Sequence, residues 1–158
     1  MLVGIVGSEG AKFTPETEHK ARVLINGLLT RPGVTTVVSG GCHLGGIDIW
    51  AEQIAGALGL DAIIHKPAKL NWSQGYAPRN RRIARDSDEI HCITLEELPE
   101  SYKGMRFPFC YHCGTNKHVK SGGCWTMKQA AKLGKSTFLH VLDKYDHPHT
   151  PGYCICGG

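Results

Sequence analysis

At 158 residues the chain suits one domain, which at this size buries roughly 70% of its extended surface, and it is too short for two full ones. A hydrophobic share of 41% and a charged share of 20% fit an ordinary globular protein, without the run of about 20 apolar residues that a membrane span needs. The net charge of +4 is mild, and no basic-then-apolar leader opens the chain, so the expected address is the cytoplasm, with no membrane partner.

Residues 2–6 form a short apolar, β-branched run that reads as a first core strand, followed by a turn over residues 7–10. Thr14 is placed to cap a helix with Pro15 at its first position and Glu16 and Glu18 in its first turn. Ala21, Leu24, Ile25 and Leu28 recur at helical spacing, and Pro32 with Gly33 ends that element. A second strand around Val37 and Val38 runs into glycines and then a helix that closes at Gly59. Residues 61–65 give a third strand, stopped by Pro67. A polar loop, a helix starting near Pro78 and a fourth strand over residues 89–94 follow. Periodicity fails over residues 95–120, which read as an insertion. Another glycine turn, a helix over residues 125–133 and a last strand over residues 136–141 come next, and residues 142–158 form a tail too rich in Pro and Gly to be regular. Alternation of strands with helices predicts an α/β fold: a Rossmann-like open parallel sheet of about five strands with helices on both faces. In such sheets ligands collect outside the carboxyl ends of the strands.

The stretch from Thr36 to Glu52 (TVVSGGCHLGGIDIWAE) organises the chain. Gly40, Gly41, Gly45 and Gly46 let the backbone turn tightly and present N–H groups at a helix start, where the dipole also favours an anion. The plain alternative is a turn that needs glycine only for its backbone angles. Arg79 follows a proline near a helix start, where its guanidinium suits a phosphate. Arg81, Arg82 and Arg85 diverge around the helix and read as a solvated face. Asp48 is placed either to accept from a ribose hydroxyl or to stabilise the helix dipole, and Trp72 and Tyr76 either to stack a base or to close the core edge.

With SGGCHLGGIDIWAE after the second strand, PAKLNW after the third, GYAPRNRRIARDSDEI into the fourth and SGGCWTMKQAAKLGKS into the last, the chain resembles the SLOG superfamily, which includes DprA and the LOG enzymes, and most of all its YspA-like branch. The resemblance covers roughly residues 1–141 apart from the insertion. It implies nucleotide or nucleotide-derived ligands across the strand ends, with Gly7, Ser8, Ser39, Gly40, Gly41, Gly45, Arg79, Asn80, Gly122 and Gly123 lining the pocket. Asp48, Tyr76 and Cys124 complete the candidate ligand-binding set. LOG enzymes hydrolyse the N-glycosidic bond of nucleoside monophosphates with a glutamate in their last glycine turn. Here Met127 stands where that glutamate would, and a thioether is no acid or base at neutral pH. Glu9 is the candidate replacement carboxylate, so a LOG-type hydrolase stays as one alternative and a DprA-like single-stranded nucleic-acid binder as another. Binding or sensing of a nucleotide is the first reading; whether the protein is an enzyme is left open, as is a homodimer.

Seven cysteines in a reducing compartment point to metal or chemistry before disulfides. Cys110 and Cys113, in a C-x-x-C-G knuckle, and the tail pair Cys154 and Cys156 predict a four-cysteine structural zinc site that staples insertion to tail within one domain over residues 1–158. His112, His118, His147 and His149 are rivals for ligand places. Cys42 and Cys124 lie in glycine turns near helix starts, where a lowered thiol pKa is expected, though packing is the simpler role.

Overall fold

The computed structural model describes residues 1–107 and 109–144. Its elements run β1 (Leu2–Gly7), α1 (Pro15–Leu29), β2 (Thr36–Ser39), α2 (Ile47–Ala57), β3 (Asp61–Ile64), α3 (Ala77–Asp86), β4 (Glu89–Leu95), α4 (Gly122–Lys132) and β5 (Ser136–Leu142). The five strands make one sheet in the order β3-β2-β1-β4-β5, parallel throughout. The predicted α/β architecture is therefore the one observed, with strand limits within a residue or so of the expected ones.

Local chemistry accounts for the helix starts. Thr14 Oγ1 accepts from Thr17 N at 3.2 Å while Thr14 N donates to Thr17 Oγ1 at 2.8 Å, a reciprocal cap ahead of Pro15. Before α3 the chain makes one π turn, Trp72–Tyr76, opened by Asn71, whose side chain accepts from Gln74 N at 2.8 Å. Ser121 caps α4 by accepting from Gly123 N at 3.2 Å, so this helix begins at Gly122, three residues earlier than the apolar spacing suggests.

Two apolar layers sandwich the sheet. On one face α1 and α2 bring Ala21, Ile25, Leu29, Ile47, Trp50 and Ala51 against Val3, Ile5, Val37 and Ile93. On the other, Ile83 and Ala84 of α3 and Cys124 and Ala130 of α4 pack on Val6, Val38, Ile90 and Cys92. Fully burying each large aliphatic side chain contributes about 1.5–3 kcal/mol, so these layers hold the strand ends in fixed register. Among the described residues no helix is long and apolar enough to cross a membrane.

The order reverses beside β1, whose neighbours are β2 and β4, and that is where a doubly wound sheet opens a crevice at its carboxyl edge.

Candidate functional site

Backbone bonds tie the strand-end turns together. Ser8 N donates to Ile93 O at 3.2 Å, Ile47 N to Ser8 O at 3.2 Å, and Gly10 N to Leu44 O at 3.4 Å. Ser8 Oγ and Thr94 Oγ1 lie 3.1 Å apart. Gly123, at the start of α4, packs so closely that a methyl there would stand 3.2 Å from Gly7 N and 2.8 Å from Cys92 Sγ. Gly7 and Ser8 after β1, Ser39, Gly40, Gly41 and Gly45 after β2, and Gly122 and Gly123 before β5 thus share one edge of the sheet with Tyr76, Arg79 and Asn80.

Gly40 is glycine for a steric reason. A side chain there would collide with Arg79 Nη1 and stand 2.8 Å from Asp48 Oδ2. Arg79, only 9% exposed, donates from Nη1 to Gly40 O and from Nε to Asn80 Oδ1, both at 2.6 Å, while its guanidinium lies 5.6 Å from the Tyr76 ring centre. Its Nη2 makes no hydrogen bond among the described residues. Asp48 accepts from Cys42 N at 3.2 Å in the first turn of α2. Burial pushes its carboxyl up to about 6, against the pull of Arg79 and the Cys42 N–H; Glu52 adds a further upward push. Ser39 Oγ lies 3.2 Å from Asp48 O and 3.1 Å from Glu52 Oε2. The glycine turn therefore uses three amides internally, Gly41 N on Ser39 Oγ, Cys42 N on Asp48 and Gly45 N on Cys42 O, and sets the buried side chains of Arg79 and Asp48 beside Gly40.

A second constellation lies on the α3 and α4 face. The donor atoms of Cys110, Cys113, His118 and Cys124 all fall within 4.8 Å of one another. The Cys110 knuckle is closed by Cys110 N to Thr115 O and Gly114 N to Cys110 O, both 2.8 Å, and Gly114 takes φ +66°, a left-handed angle that glycine adopts freely. His118 is 1% exposed; its Nδ1 bonds Val119 O at 2.9 Å, and its Nε2 is buried with no partner. A carbonyl on Nδ1 fixes the tautomer with the lone pair on Nε2, and a buried nitrogen without a partner among three thiols fits a metal ligand. Burial and the neighbouring thiols push Cys113 up to about 12, while the hydrogen bond with Cys92 and burial raise Cys124. Cys110 is held below its ordinary value: burial acts upward, but backbone N–H groups of Cys113, Ser121 and His112 outweigh it. Three thiols and one imidazole are the donor set of a closed tetrahedral structural site, and this cluster can hold a metal ion.

The structure thus keeps Cys110 and Cys113 of the expected set and pairs them with His118 and Cys124. Cys154 and Cys156, with His147 and His149, lie outside the described residues. Cys124, a candidate for the ligand pocket, has its thiol in this cluster at the start of α4, where Gly123 packs closely against Gly7 and Cys92. The signal was present as Cys-x2-Cys-x4-His-x5-Cys over residues 110–124. The expected fall in thiol pKa is not found: burial raises Cys42, and the hydrogen bond with Cys92, with burial, raises Cys124. Thr94 and Tyr102 carry no motif and are placed only by folding. Tyr102 Oη donates to Glu9 Oε1 at 3.1 Å, which fixes the Glu9 carboxylate at the end of β1. Trp72 is 47% exposed and meets the Trp125 ring edge-on at 4.8 Å. A cavity of about 550 Å³ opens between the end of β4 and the insertion, lined by Glu96, Glu97, Leu98, Arg106, Asn116, Lys117 and Val119; none of the glycine turns borders it.

No protein-family profile matches the chain, and no curated protein matches it. Among solved structures it is similar to the molybdenum cofactor carrier protein from Chlamydomonas reinhardtii, at 17% identity over 89% of this chain and 77% of that one, with a TM-score of 0.58. At that identity the likeness concerns the fold: the chain shares the Rossmann-like α/β architecture of a cofactor carrier.

Proposed function

We propose that the protein binds a nucleotide or nucleotide-derived ligand across the ends of β1, β2 and β4, and that the cluster of three cysteines and His118 holds a structural zinc ion. The observation that carries the ligand reading is that the buried side chains of Arg79 and Asp48 both stand against Gly40. A guanidinium fixed through Nε and Nη1 keeps Nη2 for a phosphate oxygen, and the buried carboxyl beside it suits a sugar hydroxyl. Such an arrangement fits the strand-end site of the SLOG superfamily, and a fold neighbour that carries a small cofactor supports a small-molecule ligand. In the reducing cytoplasm this reading implies, three zinc-bound thiolates with His118 close all four metal positions, so the ion staples the insertion to α4 and leaves no open position for substrate.

Titration calorimetry with nucleoside monophosphates tests the ligand reading. Arg79→Lys keeps the charge but loses the planar fork, and it is expected to weaken binding at least about tenfold. Equal affinity in the two proteins would remove Arg79 from the site. A hydrolase is the second reading, favoured by one observation, the Glu9 carboxylate held by Tyr102 at the same edge. Release of free base from a nucleotide, lost in Glu9→Gln, would establish it.

A further inference from the structure

Beyond the strand-end site, the geometry points to a binding face for single-stranded nucleic acid on α4 and the insertion, where the rings of Phe107, Tyr111, Trp125 and Trp72 interleave with Lys120, Lys128 and Arg81.

Charge comes first. Residues 101–142 contain seven Lys or Arg and no Asp or Glu, so this quarter of the chain carries more positive charge than the whole molecule nets. Contacts then place the groups in one run. Lys120 Nζ lies 5.1 Å from the Phe107 ring centre and 5.4 Å from that of Tyr111. The Tyr111 ring meets His112 at 4.5 Å, and Cys110 and Cys113, which flank both, have their thiols within 4.8 Å of that of Cys124, the residue before Trp125. Lys128 lies three residues from Trp125 on α4, hence on the same helix face. Trp125 holds Arg81 at 5.4 Å over its ring and Trp72 at 4.8 Å against its edge. Glu96 and Glu97 fall outside this run: they line the cavity with Arg106 and Lys117, and Glu97 pairs with Lys144.

Exposure then selects the partner. Tyr111 is 58% exposed, Trp72 47% and Phe107 41%, values at which large rings serve no core. Cations seated on ring faces mark π surfaces that a base can take over, while the displaced ammonium or guanidinium reaches a phosphate. Rings alternating with cations suit unpaired bases on a charged backbone. A duplex hides its base faces, and an acidic protein offers none.

Fluorescence anisotropy of a labelled 20-nucleotide oligothymidylate against the full chain, at several salt concentrations, tests this. Three cations on phosphates predict a slope of about −2 for log affinity against log salt, at roughly 0.7 per contact. Tyr111→Ala with Trp72→Ala should weaken binding at least about tenfold, and Lys120→Gln with Lys128→Gln should flatten the slope; circular dichroism checks the fold of each. Unlabelled oligothymidylate should displace the probe far better than inorganic polyphosphate of equal charge. No binding, or equal displacement by polyphosphate, would overturn the proposal, the latter result fitting an acidic protein partner instead. Should the ring variant fail to fold, the lysine pair and the polyphosphate comparison still decide.

Discussion

At Asp48, burial in the first turn of α2 pushes the carboxyl up to about 6, although its side chain accepts the Cys42 N–H and lies near Arg79. A folded-state value above the unfolded 3.8 means that the proton favours the fold. The associated stability is full below about pH 4, is lost as pH rises to about 6, and is flat beyond. The shift corresponds to about 3 kcal/mol. Asp48→Asn, which keeps an acceptor without the charge, is expected to gain that amount on wild type between pH 4 and pH 7, read as the difference in urea unfolding free energy. A difference that stays constant over this range would contradict it. Natural proteins keep such destabilising groups where a ligand offsets them, and this is why Asp48 belongs in the proposed site rather than among ordinary helix-start acids.

Among the elements, α1 was legible from Thr14, Pro15 and the apolar spacing that follows, because its cap and its buried stripe are both local. The π turn before α3 was not. It depends on Asn71 holding Gln74 N and on Gly75 passing so close to Lys69 that any side chain would collide with its backbone, a contact the sequence does not display. The irregular course of the chain between β4 and α4 was legible, and the cluster of thiols half legible, since the Cys110 knuckle is a local motif whereas the contribution of Cys124 depends on how α4 starts. In the zinc reading, metal fastens residues 110–118 to the first turn of α4, beside the Gly122 and Gly123 turn. His118→Ala should therefore lower bound zinc from one equivalent to well below one and open the insertion to protease. A strong chelator should do the same to wild type. Full zinc retention in His118→Ala, measured by plasma mass spectrometry after gel filtration, would take His118 out of the cluster. Its buried Nε2 would then be an orphan costing about 1–3 kcal/mol with nothing to offset it.

At the scale of the whole molecule, the alternation of apolar strands with amphipathic helices predicts the parallel sheet, and its order, β3-β2-β1-β4-β5, puts β1 at the centre. That order brings the turns after β1, β2 and β4 to one edge, though the first and last of them lie more than 80 residues apart in the chain. Gly40, Arg79 and Asp48 meet there through packing, which spacing alone cannot show. Motifs announced which residue types would gather; folding decided that Arg79 bonds Gly40 O and that the amides of Gly41 and Gly45, expected to face an anion, bond Ser39 Oγ and Cys42 O. Everything proposed for this edge turns on whether it holds a ligand. Equilibrium dialysis of the purified protein against a mixed nucleotide pool, with mass spectrometry of both compartments, tests it most directly. Intact nucleotide enriched beside wild type and not beside Arg79→Lys is the predicted result; a protein that retains nothing and releases no free base would contradict it.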